Sequence, residues 1–242
     1  MNDLILVKNL KRGDQHGQVK LIQEWLCLHK EIVGTDGDFG PATERAVKDF
    51  QSSNGIAATG IVDNNTFEKL VAPMNAALMN ITPAAGSSLG DLVVAYARQH
   101  LKQHPREVGG QNRGPWVRLY MNGNEGEPWA WCAGFVCFCL KQACKTLDQK
   151  TLPITPSFSC DDLAASAKKN KIFVNHNAIK PGSLFLVRRT DTDWTHTGIV
   201  ISVDSETCKT IEGNTNDDGS REGYEVCMRT RAYTTKLDFI RI

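Results

Sequence analysis

Apolar side chains recur at three- and four-residue steps in the first seventy residues of this 242-residue chain. This spacing predicts amphipathic helices, and one such stripe consists of Val19, Ile22 and Leu26. Pro41 follows a turn-rich stretch and suits the first turn of a second helix. Asp63 or Asn65 can cap a short third helix. The pattern predicts a small all-α three-helix bundle over residues 1–72.

Residues 73–90 are rich in Ala, Asn, Pro, Gly and Ser, which is typical of a linker. Beyond them, the pattern predicts helices at 92–101 and 132–143. Short strands then follow one another closely, at 183–188, 198–203, 208–212, 224–229 and 238–242. This order favours an α+β domain with an antiparallel sheet over residues 91–242.

The net charge is +1, from 28 Lys and Arg against 27 Asp and Glu. Near-neutrality argues against a nucleic acid or a membrane surface as partner. No apolar run is long enough for a transmembrane helix, and the run at 4–7 is too short for a secretory signal. We therefore expect synthesis in the cytoplasm without a Sec signal. Eight cysteines without CxxC spacing predict mainly reduced, buried thiols.

Cys132 is the candidate nucleophile because it begins the predicted apolar helix. The free N–H groups and partial positive charge at a helix N-terminus stabilise a thiolate. They can also receive the oxyanion of an acyl intermediate. A buried packing role is the alternative, and it suits the cysteines deeper in the helix better: Cys137, Cys139 and Cys144.

His196 is the candidate base, at the start of an apolar strand where Gly198 leaves room beside the imidazole. A catalytic histidine needs an oxygen acceptor at its second ring nitrogen. Glu212 or Asn214, on the next predicted strand, can supply it. The alternatives are a histidine bonded to backbone and a solvated Glu212.

The stretch Asp36-Gly37-Asp38-Phe39-Gly40-Pro41 is followed by Phe50-Gln51 and Thr59-Gly60-Ile61-Val62-Asp63. Together they resemble the peptidoglycan-binding domain, type 1 family, over residues 7–70. The resemblance implies a shallow groove for cell-wall muropeptide, with Asp36, Asp38 and Gln51 as substrate-binding residues. Structural roles for these three side chains are the alternative. A calcium loop is not expected here, because Phe39 and Pro41 replace oxygen ligands.

The stretch Trp129-Ala130-Trp131-Cys132-Ala133, with His196 and Glu212, resembles the CHAP family over residues 89–242. These are cysteine- and histidine-dependent amidohydrolases/peptidases related to NlpC/P60 and papain-like hydrolases. The resemblance implies a papain-like α+β fold, with Cys132 as nucleophile, His196 as base, Glu212 as its orienting partner and Asn214 as polar support. Asn112, Trp129 and Trp131 are candidate substrate contacts.

Two positions depart from the CHAP pattern. Trp131 stands where better-known CHAP lysins carry Gln, so the Cys132 backbone N–H is the expected oxyanion donor. Ser183 replaces the Asp of a Pro-Gly-Asp segment. No metal or cofactor is expected, and the absence of HExxH disfavours a metallopeptidase.

Both resemblances imply a peptidoglycan hydrolase, either an N-acetylmuramoyl-L-alanine amidase or an endopeptidase. We expect a monomer that acts at the bacterial wall. It would be a phage endolysin released by a holin or a type VI effector with a cognate immunity protein. Two alternatives stay open: a non-catalytic peptidoglycan-binding protein with a decayed hydrolase domain, and a thiol amidase of a soluble amide.

Overall fold

Three helices form the N-terminal part of the computed structural model, which describes residues 2–216 and 223–242. They are α1 (Gly17–Leu28), α2 (Pro41–Ser53) and α3 (Asn64–Leu78). Pro41 begins α2, as predicted. The Asp63 carboxylate accepts a hydrogen bond from the Thr66 N–H and so caps α3. This bond satisfies a backbone donor that the helix leaves free.

The predicted linker at 73–90 is shorter in the structure, because α3 continues into it. Met74 and Ala77 extend the buried face of α3, and this packing outweighs the cost of Pro73 inside the helix. The next helix, α4 (Leu89–Leu101), begins within the predicted linker with a reciprocal capping box. The connection between α3 and α4 is therefore only residues 79–88.

The second part combines helices and strands, as predicted. Its helices are α4, α5 (Pro115–Tyr120), α6 (Cys132–Thr146) and α7 (Cys160–Lys169). Its strands are β1 (Phe173–Val174), β2 (Leu184–Thr190), β3 (Asp193–Val203), β4 (Thr207–Thr215), β5 (Glu225–Ala232) and β6 (Leu237–Ile240). The pattern did not predict α5, α7 or β1.

The six strands form one sheet in the order β1-β6-β2-β3-β4-β5, and every neighbouring pair is antiparallel. Helix α6 packs against β3 and β4, and α7 packs against β3. The prediction of an α+β domain with an antiparallel sheet after a helical N-terminal domain is confirmed. None of the helices in the described ranges is long and apolar enough to cross a membrane.

The N-terminal helices and the second domain share one continuous hydrophobic core. Trp25 of α1 and Trp116 of α5 meet edge to face, with ring centroids 6.2 Å apart and planes at 68°. Gln99 of α4 donates hydrogen bonds to the carbonyl oxygens of Ala77 and Met79. The two domains are therefore packed directly against each other.

Arg118 is the charged centre of this domain interface. Its guanidinium donates to Asp3 at 2.6 Å, to Glu24 at 2.7 Å and to Glu125 at 2.7 Å. The Glu24 side chain is 2% exposed, and burial raises its pKa despite the neighbouring Arg118. Removing the arginine would leave a buried carboxylate without its main counter-charge.

We expect Arg118→Ala to destabilise the protein by about 3–5 kcal/mol, because it breaks a buried ion pair from one side. Urea unfolding of the full chain measures this change. Arg113→Ala is the matched control, since Arg113 pairs with the same Glu125 at 3.7 Å and is 44% exposed. Its loss should cost at most about 1 kcal/mol. Equal effects of the two substitutions would contradict the role of Arg118.

Candidate active site

Cys132 is the first residue of α6 and lines a cavity of about 410 Å³. The first N–H groups of the helix have no partner within it, and Cys132 lies at the positive end of the helix dipole. Cys132 itself is 5% exposed. Other residues that line the cavity are Glu107, Gln111, Asn112, Glu127, Ala130, Thr195, His196, Asn214, Gly223 and Tyr224.

His196 lies on β3 and lines the same cavity as Cys132. Its Nε2 is 2.9 Å from Oε2 of Glu212. Because Nε2 is held by the carboxylate, Nδ1 is the ring nitrogen left for the thiol. The structure thus brings together the nucleophile, the base and the acceptor that the sequence suggested.

Glu212 is fully buried on β4 and accepts several hydrogen bonds. Arg231 of β5 donates to both carboxylate oxygens, at 2.6 and 2.5 Å, and the Thr210 hydroxyl donates at 2.5 Å. This cation compensates a charge that would otherwise be costly to bury. Glu212 is therefore held as a carboxylate, with its geometry fixed from two sides.

Gly198 provides the space for Glu212. A Cβ atom at position 198 would lie 2.8 Å from Cγ of Glu212 and 2.6 Å from the Phe185 ring. The sequence prediction placed this free space beside the imidazole, whereas the structure shows that it accommodates the carboxylate side chain. Glycine is therefore required for Glu212 to reach His196.

Cys132, His196 and Glu212 shift one another's pKa values toward the charged forms. The Cys160 thiol and the His196 imidazole lower the pKa of Cys132 well below its usual value, although burial opposes this shift. Burial lowers the pKa of His196, but Cys132 and Glu212 raise it to a net value of about 9. Burial raises the pKa of Glu212, but His196 and Arg231 lower it to about 2. The site favours a thiolate beside an imidazolium.

Asn214 does not support His196, and this prediction is wrong. Its side-chain oxygen accepts the Trp131 N–H at 2.8 Å, and its amide donates to the Gly223 carbonyl. The cause is a bulge after Glu212, where Asn214 adopts a left-handed φ of 54°. The regular alternation of faces ends there, so Asn214 points to the start of α6.

Trp131 is not a substrate contact, because it is fully buried. Its indole donates to Glu107 at 2.8 Å, and its ring stacks on Tyr120 with centroids 5.5 Å apart. Trp129 is half-buried and meets Phe158 edge to face. Of these two predicted contacts, only Trp129 has exposed surface for a ligand.

Asn112 lies in the cavity wall. Its backbone N–H donates to Glu107, and its amide nitrogen donates to the Glu127 carbonyl. Its side-chain oxygen is buried and has no partner among the described residues. A buried acceptor without a donor is unusual, and this one belongs to a residue that lines the same cavity as Cys132. The role of Asn112 as a substrate contact stays a prediction.

The three predicted wall-binding residues of the N-terminal domain differ in exposure. Asp36 and Asp38 are exposed, and Asp36 accepts a hydrogen bond from Gln23 at 2.7 Å. Gln51 is 1% exposed. Its amide nitrogen donates hydrogen bonds to the hydroxyl groups of Thr59 and Thr66 and to the Ile61 carbonyl oxygen. Gln51 therefore stabilises the fold and is not placed to touch a ligand, whereas the two aspartates remain accessible.

Two residues near the candidate nucleophile, Arg231 and Cys160, are not predicted by the sequence analysis. Nothing in the sequence order pairs Arg231 with Glu212. Cys160 begins α7, and its sulfur is 3.9 Å from that of Cys132. The signal for α7 was available, because Ser159 and Asp162 have the spacing of a helix cap, and Ser159 does accept the Asp162 N–H.

Within residues 2–216 and 223–242, no group of three or more His, Cys, Asp or Glu side chains is arranged to hold a metal ion. The site described above contains one histidine, and Glu212 occupies its Nε2.

Comparison with known families assigns both parts of the chain. Residues 15–70 match the peptidoglycan binding domain, and residues 122–214 match the CHAP domain. The chain therefore contains a peptidoglycan-binding domain followed by a CHAP domain, which confirms the predicted architecture. The CHAP match includes Cys132, His196 and Glu212.

A segment of 38 residues is 53% identical to the zinc D-Ala-D-Ala carboxypeptidase of Streptomyces albus G. It covers 16% of this chain and 15% of that protein. The similarity is thus confined to a small part of both proteins.

Proposed function

We propose that this protein is a peptidoglycan hydrolase that cuts an amide or peptide bond of the stem peptide by a Cys-His-Glu thiol mechanism. The observation that carries the proposal is Cys132 at the start of α6, in one cavity with His196, which Glu212 holds. A nucleophile helix packed on a sheet that carries the base also supports a papain-like arrangement. The three N-terminal helices would form the wall-binding bundle.

In the proposed reaction, the Cys132 thiolate attacks the carbonyl carbon of the scissile bond. The free N–H groups at the start of α6, first that of Cys132, stabilise the oxyanion. His196, as imidazolium, gives its proton to the leaving amine when the C–N bond breaks. It then takes a proton from the water that hydrolyses the thioester. Glu212 keeps the imidazole oriented and favours its charged form.

Peptidoglycan is the proposed substrate because both domain matches fit it. The relative from Streptomyces albus G, named as a D-Ala-D-Ala carboxypeptidase, is consistent with a wall substrate. Asn112 in the cavity wall, Trp129 and the exposed Asp36 and Asp38 would contact the bound substrate. We propose that a monomer reaches the wall through a holin or a secretion machine; an immunity protein would belong to the second route.

Mass spectrometry of fragments released from purified sacculi tests the proposal, with wild type beside Cys132→Ala. New fragments from wild type alone would support it, and their ends would separate amidase from endopeptidase. If several wall types release nothing while both proteins bind the sacculi, the non-catalytic binding protein is the better hypothesis. Failure to bind would instead favour a soluble amide as substrate.

The pH dependence of kcat/KM gives a second test. The thiolate–imidazolium pair exists between two apparent pKa values that belong to the pair. The upper limb should fall near pH 9, because His196 loses its proton there. The lower limb should lie well below the pH at which an ordinary thiol ionises, because the pKa of Cys132 is lowered. Activity on a soluble muropeptide that kept rising beyond pH 10 would contradict the ion pair.

A further inference from the structure

The sulfur atoms of Cys132 and Cys160 are 3.9 Å apart. Each cysteine is the first residue of its helix, α6 and α7, and they are 5% and 7% exposed. The position of α7 is fixed from the sheet side, because Asp161 accepts the Trp194 N–H at 2.6 Å. The contact therefore depends on two packed helices and a strand, and not on a surface loop.

We propose that Cys132 and Cys160 are a reversible disulfide site, which a small-molecule disulfide such as oxidised glutathione closes. A disulfide bond is about 2.05 Å long, so the sulfurs must approach by about 1.9 Å. Cys132 lines the cavity of about 410 Å³ and can be reached by the oxidant. Cys160 is not among the residues that line the cavity, and it needs to reach only Cys132.

The reaction takes two exchange steps. First, the Cys132 thiolate attacks one sulfur of the oxidant, forms a mixed disulfide and releases one small thiolate. Second, the Cys160 sulfur attacks the Cys132 sulfur, forms the Cys132–Cys160 bond and releases the second small thiolate. The two protein thiols lose two electrons and two protons, and the oxidant becomes two small thiols.

The surroundings explain why Cys132 reacts first. Its neighbours favour the thiolate, the form that attacks. The Cys132 contact raises the pKa of Cys160 well above the usual value, and burial raises it further. Once Cys132 is in the mixed disulfide, its negative charge is gone and this contribution is lost. The first step therefore prepares Cys160 for the second.

The disulfide would occupy the proposed nucleophile, so its effect on hydrolysis rests on the proposed function. The closed form would be inactive until a thiol reductant reopens it. It would also protect the Cys132 sulfur from irreversible oxidation to sulfinic acid, a lesion to which exposed thiolates are prone.

The experiment oxidises the full chain with excess oxidised glutathione and maps it by mass spectrometry without reduction. Trypsin separates the two cysteines, because Cys132 lies in peptide 119–141 and Cys160 in peptide 151–168. We expect a cross-link between these peptides, an intact mass lower by two hydrogens, and full reversal by dithiothreitol. Wild type that stops at a glutathione adduct on Cys132 would overturn the proposal.

Three variants make the assignment specific. Cys160→Ser should retain the glutathione adduct on Cys132, and Cys132→Ser should form no cross-link. Cys137→Ser is the matched control, because Cys137 shares peptide 119–141 but contacts the Ser157 carbonyl oxygen; it should cross-link like wild type. A cross-link lost in Cys137→Ser would overturn the assignment. Circular dichroism checks each fold, and Cys160→Ala replaces Cys160→Ser if the serine variant unfolds.

The cross-link is detected without any activity assay, so the two proposals fail separately. If the bond forms and reduced protein still releases nothing from sacculi, only the hydrolase proposal fails. If reduced protein hydrolyses and no bond forms, only the disulfide proposal fails.

Discussion

Cys132→Ala should reduce kcat/KM by a factor on the order of 10⁴–10⁶, as expected when a nucleophile is removed and only binding and oxyanion contacts remain. The side chain is small and buried at the start of α6, so the fold should persist. Binding to sacculi should match that of wild type, because the aspartates predicted to bind the wall lie in the N-terminal domain. Turnover of a soluble muropeptide and a sacculus pull-down measure the two effects.

Cys137→Ala is the matched control in the same helix. Cys137 is 2% exposed, and loss of its sulfur should lower the free energy of unfolding by about 1 kcal/mol, as for other small deletions in a core. Its kcat/KM should stay within about twofold of wild type. A folded Cys137→Ala protein as inactive as Cys132→Ala would refute our assignment of the nucleophile.

Glu212→Gln should reduce kcat by a factor on the order of 10²–10⁴, because an amide no longer fixes the imidazole orientation or its charge. Glu212 is one of the groups that raise the pKa of His196 to about 9. Its neutralisation should therefore move the upper limb of the pH profile to lower pH. A purely structural role for Glu212 would not produce that displacement.

Arg231→Gln separates the two partners of Glu212. This substitution removes the cation but keeps the carboxylate beside His196, so kcat should fall less than in Glu212→Gln. Thermal unfolding of both variants shows how much of each effect is a loss of stability. If the upper limb of the pH profile stays unchanged in folded Glu212→Gln protein, Glu212 does not raise the pKa of His196 as we infer.

The grouping of Cys132, His196 and Glu212 was largely predictable from the sequence, because it depends on the order of neighbouring helices and strands. Cys132 begins a strongly apolar helix, and His196 lies in the first half of strand β3. Glu212 lies on the next strand. These features follow from helix and strand periodicity together with the CHAP resemblance, and they required no knowledge of distant contacts.

The remaining features depend on tertiary contacts that periodicity does not describe. Asn214 departs from the prediction because a left-handed residue in a bulge changes the face of the strand. Trp131 looked like a substrate contact, yet its indole hydrogen-bonds to Glu107 inside the core. Arg231 reaches Glu212 from a strand whose register the sequence does not specify.

The packing of Trp25 on Trp116 has a consequence for how such a protein evolves and can be engineered. An N-terminal domain that shares its core with the CHAP domain cannot simply be replaced by the binding domain of another protein, since the new domain must also match the surface around Arg118. The proposed wall-binding site and the proposed catalytic site would then be held at a fixed distance and orientation. A wall-bound molecule would reach only those bonds that lie at one fixed offset from the place where it is held.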